Sequence, residues 1–106
     1  FNEGDSGFTT EPHTTVLSLA QNFPNPFNPT TSIEFTTPEK GDVRLAIYDL
    51  TGQITRILNV EGVPSGKHKV VWDGRDNLGR PVASGVYLYR VATHGESLTR
   101  RMVLVR

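Results

Sequence analysis

The sequence predicts an all-β fold, an antiparallel β-sandwich of about seven strands. Short runs of residues alternate between apolar and polar side chains, which is the period of half-buried strands. Clusters of Gly, Pro, Asn and Asp separate these runs at regular intervals, and no longer segment has the apolar spacing of an amphipathic helix. Short strands joined by short turns favour an immunoglobulin-like topology, although the Cys…Trp…Cys framework of antibody domains is absent.

Composition sets limits on both fold and function. The chain has 106 residues, enough for one domain with a modest hydrophobic core, and it contains no cysteine. Disulfide scaffolds, thiolate nucleophiles and cysteine-bearing zinc sites are therefore excluded. Its 11 basic and 11 acidic side chains balance, so no overall field favours binding of nucleic acid. No apolar run reaches the roughly 20 residues of a membrane-spanning helix, and we expect no membrane insertion.

The start of the chain is rich in Gly, Ser, Thr and acidic residues and has linker composition. We predict a flexible linker from an upstream domain over residues 1–16 and a folded domain over residues 17–106. The chain lacks an initiating methionine, so we expect it to be part of a longer protein. Leu17 and Leu19, at a spacing of two, predict a short edge strand over Val16–Ala20.

The segment Phe23–Pro29, which we call the proline segment, separates this start from the rest of the chain. Its three prolines lack a backbone N–H and hold φ near −65°, so the segment is neither helix nor central strand. The residue before each proline is restricted to extended geometry, which presents Phe23 and Phe27 as bulky anchors. We expect one of these rings to pack against an end of the sandwich.

The runs after the proline segment predict the remaining strands. In order they are Thr30–Thr37, the run through Val43, Leu45 and Ile47 that ends at Asp49, Gln53–Val60, Lys67–Trp72, Gly85–Thr93 and Leu98–Arg106. Arg56 predicts a bulge or a change of face within its strand, and Glu61–Gly66 is predicted to break the chain. Gly85–Thr93 is apolar on most of both faces, which predicts a central strand. The predicted core anchors are Phe35, Ile47, Trp72, Tyr87 and Tyr89.

The sequence contains little that indicates catalysis. A nucleophile needs a base within hydrogen-bond reach, and no Ser or Asp pattern converges on His13, His68 or His94. No glycine motif of a phosphate-binding loop occurs. We therefore predict that the chain is not an enzyme and uses no cofactor.

Two sets of residues have a functional interpretation beside a structural one. Asp73, Asp76 and Asn77 are types that supply oxygen ligands to Ca²⁺, but arginines lie in the same loop, and a turn with Asx-type hydrogen bonds is favoured over a metal site. Tyr87 and Tyr89 are spaced like a stacking platform for sugars or bases, but their place in the predicted central strand favours a core role.

Arginines make the predicted last strand basic, at Arg100, Arg101 and Arg106. One interpretation is the protection of an edge strand, for which charged side chains are a common device. The other is a recognition patch, and composition alone does not choose between them.

Five blocks of the sequence carry a family pattern. They are Leu19–Thr31 (LAQNFPNPFNPTT), Ile47–Gly52 (IYDLTG), Trp72–Asp76 (WDGRD), Ser84–Tyr87 (SGVY) and Arg100–Leu104 (RRMVL). In this order they resemble the type A C-terminal sorting domain of the bacterial type IX secretion system. The pattern is also similar to the related immunoglobulin-like domain of the flagellar hook-capping protein. The resemblance extends from about Leu17 to Arg106.

The resemblance implies a non-catalytic targeting module, which directs an exported protein across the outer membrane to the cell surface. The implied partners are the type IX translocon, a sortase-like peptidase and an upstream cargo domain, reached through the periplasm of a Gram-negative bacterium. A monomer is expected. The candidate recognition residues are those that match the family's elements: Pro24, Asn25, Pro26, Gly85, Tyr87, Arg100, Arg101, Met102 and Leu104. Lysine is the commoner residue where this chain has Arg101, and the change keeps the charge but alters the donor geometry.

Two other functions fit the composition. One is a structural or protein-interaction module, like a flagellar hook cap or a surface stalk. The other is a carbohydrate-binding accessory module of a secreted glycoside hydrolase, with tyrosine or tryptophan side chains as its platform.

Overall fold

The computed structural model describes residues 16–106, which form two antiparallel sheets. The strands are β1 Ser18–Leu19, β2 Thr31–Thr37, β3 Gly41–Tyr48, β4 Ile54–Ile57, β5 Val60–Val63, β6 Gly66–Trp72, β7 Gly85–Thr93 and β8 Glu96–Leu104. The smaller sheet has the order β1-β2-β6, and the larger has the order β4-β3-β7-β8 with β5 also paired to β3. The predicted all-β, immunoglobulin-like sandwich is confirmed. The linker predicted before Val16 lies outside the described residues.

The inner strands form where apolar and polar residues alternate along the sequence. Ile33 and Phe35 of β2 are buried between half-buried neighbours, and Val43, Leu45 and Ile47 repeat this in β3. β7 lies between β3 and β8, so the strand predicted to be central is central. Period-two patterns place one face of each strand toward the opposite sheet.

The region after β3 differs from the prediction. One strand was expected over Gln53–Val60 and a break over Glu61–Gly66, but β5 extends into the expected break. β4 pairs with the end of β3 and β5 pairs with its start. Between them, Asn59 Oδ1 accepts a hydrogen bond from the backbone N–H of Leu45 at 3.0 Å. The Asn59 side chain takes the place of a backbone partner for Leu45. The chain therefore resumes pairing with β3 after Asn59, as β5. The bulge predicted near Arg56 is present as a register shift in the β3–β4 pairing. A second register shift, which was not predicted, occurs in the β3–β5 pairing.

The core lies between the sheets. Trp72, Tyr89, Phe35 and Ile47 are at most 1% exposed, and Tyr87 is 8% exposed. The ring of Trp72 lies 5.6 Å from that of Tyr87, edge to face, an arrangement that aromatic pairs favour. Residues 16–106 contain no helix long and apolar enough to cross a membrane.

Candidate functional site

The proline segment crosses from the smaller sheet to the larger one. Phe23 forms a backbone bridge with Ser32 of β2, whereas Phe27 forms a parallel bridge with Leu104 of β8. The Phe27 N–H donates to the Val103 carbonyl at 3.0 Å, and the Val105 N–H donates to the Phe27 carbonyl at 2.9 Å. The prolines lack the N–H groups that a regular strand would need here, so only isolated bridges form. The segment therefore closes one edge of the sandwich.

Only one of the two phenylalanines in this segment is an anchor. Phe27 is 1% exposed, and its ring lies 5.7 Å from that of Trp72. Phe23 is 78% exposed, so the one ring expected to pack against the sandwich is that of Phe27, and Phe23 is not an anchor. Its backbone is held by Ser32 in both directions while its side chain points to solvent.

Asn25, between two of the prolines, ties the segment to β8 by its side chain. Its Oδ1 accepts a hydrogen bond from the Val103 N–H at 3.0 Å. The side chains of Pro24 and Pro26 on either side are exposed. The Pro24 carbonyl accepts hydrogen bonds from the Thr31 hydroxyl and from the Asn22 side chain, which fixes the start of the segment. The Pro-Asn-Pro element is thus joined to the terminal basic element of the sequence.

A buried polar network that sequence reasoning missed lies beneath this element. Asn22 is 2% exposed, and its N–H donates to the Tyr89 hydroxyl at 2.9 Å. That hydroxyl donates in turn to the Ala20 carbonyl at 2.8 Å. Asn22 Nδ2 donates to the Thr31 hydroxyl, and Asn22 Oδ1 accepts from Gln21. Each of these polar groups therefore has a hydrogen-bond partner within the network, as buried polar groups require. Burial raises the pKa of Tyr89.

Gly85 and Tyr87 serve the core rather than a surface. Tyr87 faces Met102 across the β7–β8 pair, and Gly85 faces Leu104. The Tyr87 hydroxyl donates to the Ala83 carbonyl at 2.6 Å, and burial raises the pKa of Tyr87. With Trp72 and Tyr89 also buried, none of these rings forms the exposed platform that the carbohydrate hypothesis needs.

The basic residues of the last strand have different roles. Arg100 Nε donates to the Leu19 carbonyl at 2.6 Å. Arg106 donates through Nε to the Val82 carbonyl and through Nη2 to the Gly74 carbonyl. The Arg101 side chain is exposed and makes no hydrogen bond or ion pair with residues 16–106, although its carbonyl accepts from Gln21 Nε2 at 2.7 Å. Met102 and Leu104 are buried. Arg100 and Arg106 are therefore structural, and Arg101 presents a charge that is unpaired among residues 16–106.

The loop after β6 explains the WDGRD block. The Trp72 indole N–H donates to the Arg75 carbonyl at 2.9 Å. Gly74 has φ +74°, and a Cβ built on it would lie 2.8 Å from the Pro29 carbonyl oxygen. Only glycine fits this conformation beside the proline segment. The block supports the fold at the point where the segment ends.

The side-chain oxygens of Asp73, Asp76 and Asn77 each accept hydrogen bonds from backbone N–H groups. Asp73 Oδ1 accepts from the Arg75 N–H and pairs with Arg56 at 3.1 Å. Asp76 Oδ1 accepts from the N–H groups of Leu78 and Arg80, and the Arg80 N–H is the main cause of the lowered pKa of Asp76. Asn77 Oδ1 accepts from the Ile57 N–H. The favoured Asx-turn interpretation matches the bonds of Asp73 and Asp76, whereas Asn77 joins the loop to β4. Residues 16–106 hold no cluster of three acidic or histidine side chains suited to a metal ion.

The candidate residues thus divide by exposure. Tyr87, Met102 and Leu104 are buried, Gly85 is half-buried, and Arg100 is exposed but bonded to β1. The exposed side chains of Pro24, Pro26 and Arg101 remain, together with that of Asn25, whose Oδ1 is bonded to Val103 but whose Nδ2 makes no hydrogen bond within residues 16–106. The Asn25–Val103 bond brings the proline segment next to the strand of Arg101. We call these four residues the terminal surface.

A family model for the FlgD Ig-like domain matches residues 25–97, well over half of the chain. The chain belongs to the FlgD Ig-like domain family. The match begins within the proline segment of this FlgD-type domain and ends at Ser97, before Arg101. No match was found among curated proteins.

Solved structures also resemble this FlgD-type domain. Dimeric latent PorU from Porphyromonas gingivalis aligns with a TM-score of 0.69 at 25% identity, over 85% of this chain and 9% of PorU. PorZ from the same organism, an essential surface component of its type IX secretion system, aligns with a TM-score of 0.58 at 27% identity, over 81% of this chain and 11% of PorZ. FlgD from Xanthomonas campestris aligns with a TM-score of 0.61 at 20% identity, over 83% of this chain and 64% of FlgD, and shows the shared fold. The chain spans about a tenth of the length of PorU and PorZ.

Proposed function

We propose that this FlgD-type domain is a C-terminal sorting module of the type IX secretion system, and that residues 17–106 form it. The observation that carries the proposal is the Asn25–Val103 hydrogen bond, which joins the two elements of the sorting-domain resemblance that remain exposed. The similarity to PorU and PorZ over more than four-fifths of the chain supports it. The module is non-catalytic, and its partners are the translocon and a sortase-like peptidase.

The terminal surface is the part of the module that the translocon reads. Buried Tyr87, Met102 and Leu104 contact a partner only if the domain opens, so in the folded module they act by holding the fold. Pro24 and Pro26 flank Asn25 and restrict the backbone around it, which reduces the entropy lost on binding. Arg101 adds a charge with five donors in a planar fork. The upstream cargo is then delivered to the cell surface or medium.

The test fuses the 106-residue chain to a reporter that is exported to the periplasm of a bacterium with a type IX system. The reporter is expected at the cell surface or in the medium, and a strain without the translocon is expected to retain it. Arg101→Ala should lower secretion at unchanged melting temperature, because its side chain supports no bond of the fold. Lys69→Ala is the matched control, an exposed cation on β6, and should secrete normally. Periplasmic retention of the unaltered fusion contradicts the proposal.

A structural module is the second candidate, favoured by the FlgD family match over residues 25–97. Under this function the domain connects or caps a protein assembly, and the reporter fusion stays in the periplasm. Within the sorting function, Pro24→Ala with Pro26→Ala separates two roles of the proline segment itself. Lost secretion with an unchanged free energy of unfolding supports recognition, and lost stability with secretion intact supports a structural role.

A further inference from the structure

The edge of β8 that faces away from β7 is paired over only half of its length. Val103 directs its N–H and C=O away from β7, toward Asn25 and Phe27. Backbone groups alternate in direction along an antiparallel strand, so Thr99 and Ser97 face the same way as Val103. Within residues 16–106, no backbone hydrogen bond reaches Thr99 or Ser97 from that side. Among the described residues, the strand therefore presents open N–H and C=O groups at Ser97 and Thr99 and an open N–H at Arg101, whose carbonyl accepts from Gln21 Nε2.

The opposite sheet covers this half of β8 only in part, at Arg100, whose side chain bonds to Leu19 of β1. β1 has only 2 residues, and every residue from Glu96 to Arg101 is exposed. Leu98 lies on the same side of the strand as buried Met102, yet it is 38% exposed. An added strand in the plane of the larger sheet would cover Leu98 with its inward side chains.

We propose that this edge, Ser97 to Arg101, binds an extended acidic segment of a partner protein by strand addition. Phe27 already pairs in parallel with the second half of the same edge, so its geometry accepts a main chain. Open edges of this kind are the sites at which peptides extend a sheet. This inference does not depend on the proposed sorting function.

The positive charges near this edge indicate that the partner segment is acidic. Arg90 is the cross-strand neighbour of Thr99 and lies on the same outer face, where Arg101 follows two residues later. Arg100 adds a third positive charge, and Glu96 is the nearest acidic residue of the strand. Pairing with a second copy would place Arg100 and Arg101 near their equivalents, which like-charge repulsion opposes. A segment with acidic residues outward and apolar residues over Leu98 fits both faces.

The test measures binding of a capped peptide of alternating glutamate and valine to the full chain. Thr99→Pro removes the edge N–H, and since this N–H points away from β7, the β7–β8 pairing survives. We expect Thr99→Pro to weaken binding at least about tenfold, the effect of losing one or two hydrogen bonds. A peptide N-methylated at one valine and at the neighbouring glutamate, so that one blocked N–H faces β8 in either strand direction, should lose affinity similarly, as should its lysine–valine counterpart.

Hydrogen exchange locates the bound peptide. The Thr99 and Arg101 amides are expected to exchange more slowly with the peptide present, and the amides of β6, at the edge of the other sheet, are not. Equal binding by the N-methylated peptide overturns the proposal, even if Thr99→Pro fails to fold. An absence of binding at millimolar peptide also overturns the proposal. The proposal is overturned as well if the chain forms a dimer that Thr99→Pro dissociates.

Discussion

At the scale of single residues, the hydroxyl of Tyr89 holds the entry to the proline segment. It accepts from the Asn22 N–H and donates to the Ala20 carbonyl. Both partners lie 67 or more positions away in the sequence, so this oxygen fixes the path of the chain from the centre of β7. Tyr89 therefore does more than fill the core.

We expect Tyr89→Phe to lower the free energy of unfolding by about 1–3 kcal/mol, because the buried Asn22 N–H loses its acceptor. Urea unfolding followed by fluorescence of Trp72, the single tryptophan, measures the change. The control is Tyr48→Phe on the half-buried outer face of β3, expected to change stability by less than about 0.5 kcal/mol. Equal losses in the free energy of unfolding for the two variants would contradict a stabilising role for the hydrogen bonds of Tyr89.

At the scale of elements, the proline segment is held by one ring and by its backbone. Phe27 packs on Trp72, and its N–H and C=O both bond β8. The stiff backbone between Phe23 and Phe27 determines which ring reaches the core. The prolines direct the path of the backbone, and Phe27 supplies the apolar contact with the core.

Phe27→Ala is expected to destabilise the domain by about 3–5 kcal/mol, the usual effect of removing a buried aromatic ring. Phe23→Ala is the matched control, and it should change stability by less than about 0.5 kcal/mol because that ring is exposed. Chemical denaturation of both variants measures the difference. A large loss from Phe23→Ala would contradict the placement of the two rings.

The sequence predicts the path of this segment only in part. Its prolines indicate that it is no regular strand, and the spacing of Ile33, Phe35 and later residues predicts the strands that follow. Its attachment to β8 was not predictable, because the Asn25–Val103 bond joins residues 78 positions apart and leaves no local pattern. For the same reason Asn22, whose type is usually exposed, was not recognised as buried. The start of β5 depends on Asn59, whose bond to Leu45 also has no sequence signature.

At the scale of the whole molecule, two buried tyrosines link stability to alkaline pH. Burial raises the pKa of Tyr87 and of Tyr89 above the value of about 10 in an unfolded chain. Their contribution is fully present below pH 10. As pH rises further, the unfolded chain loses these protons first, so stability falls until the pH passes the folded pKa values.

We expect the free energy of unfolding to decrease as the pH rises above about 10, by up to about 1.4 kcal/mol per pH unit for each tyrosine. Urea titrations at a series of pH values measure this slope. Tyr89→Phe should reduce the slope, and Tyr48→Phe serves as a control for the substitution itself. A stability that rises with pH in this range would contradict the assigned shifts.

The crossing of the proline segment to β8 also bears on how the domain folds. Hydrogen bonds there join residues 67 to 81 positions apart, from Asn22–Tyr89 to Leu19–Arg100. Such distant pairs form only after the entropy of closing a long loop has been overcome, which places similar β-sandwiches in the millisecond-to-second range of folding times. A chain emerging from its N-terminal end cannot complete this corner until β8 arrives. Until then the Phe27 backbone and the Asn25 side chain lack their hydrogen-bond partners Val103 and Val105, and this edge of the sandwich stays open.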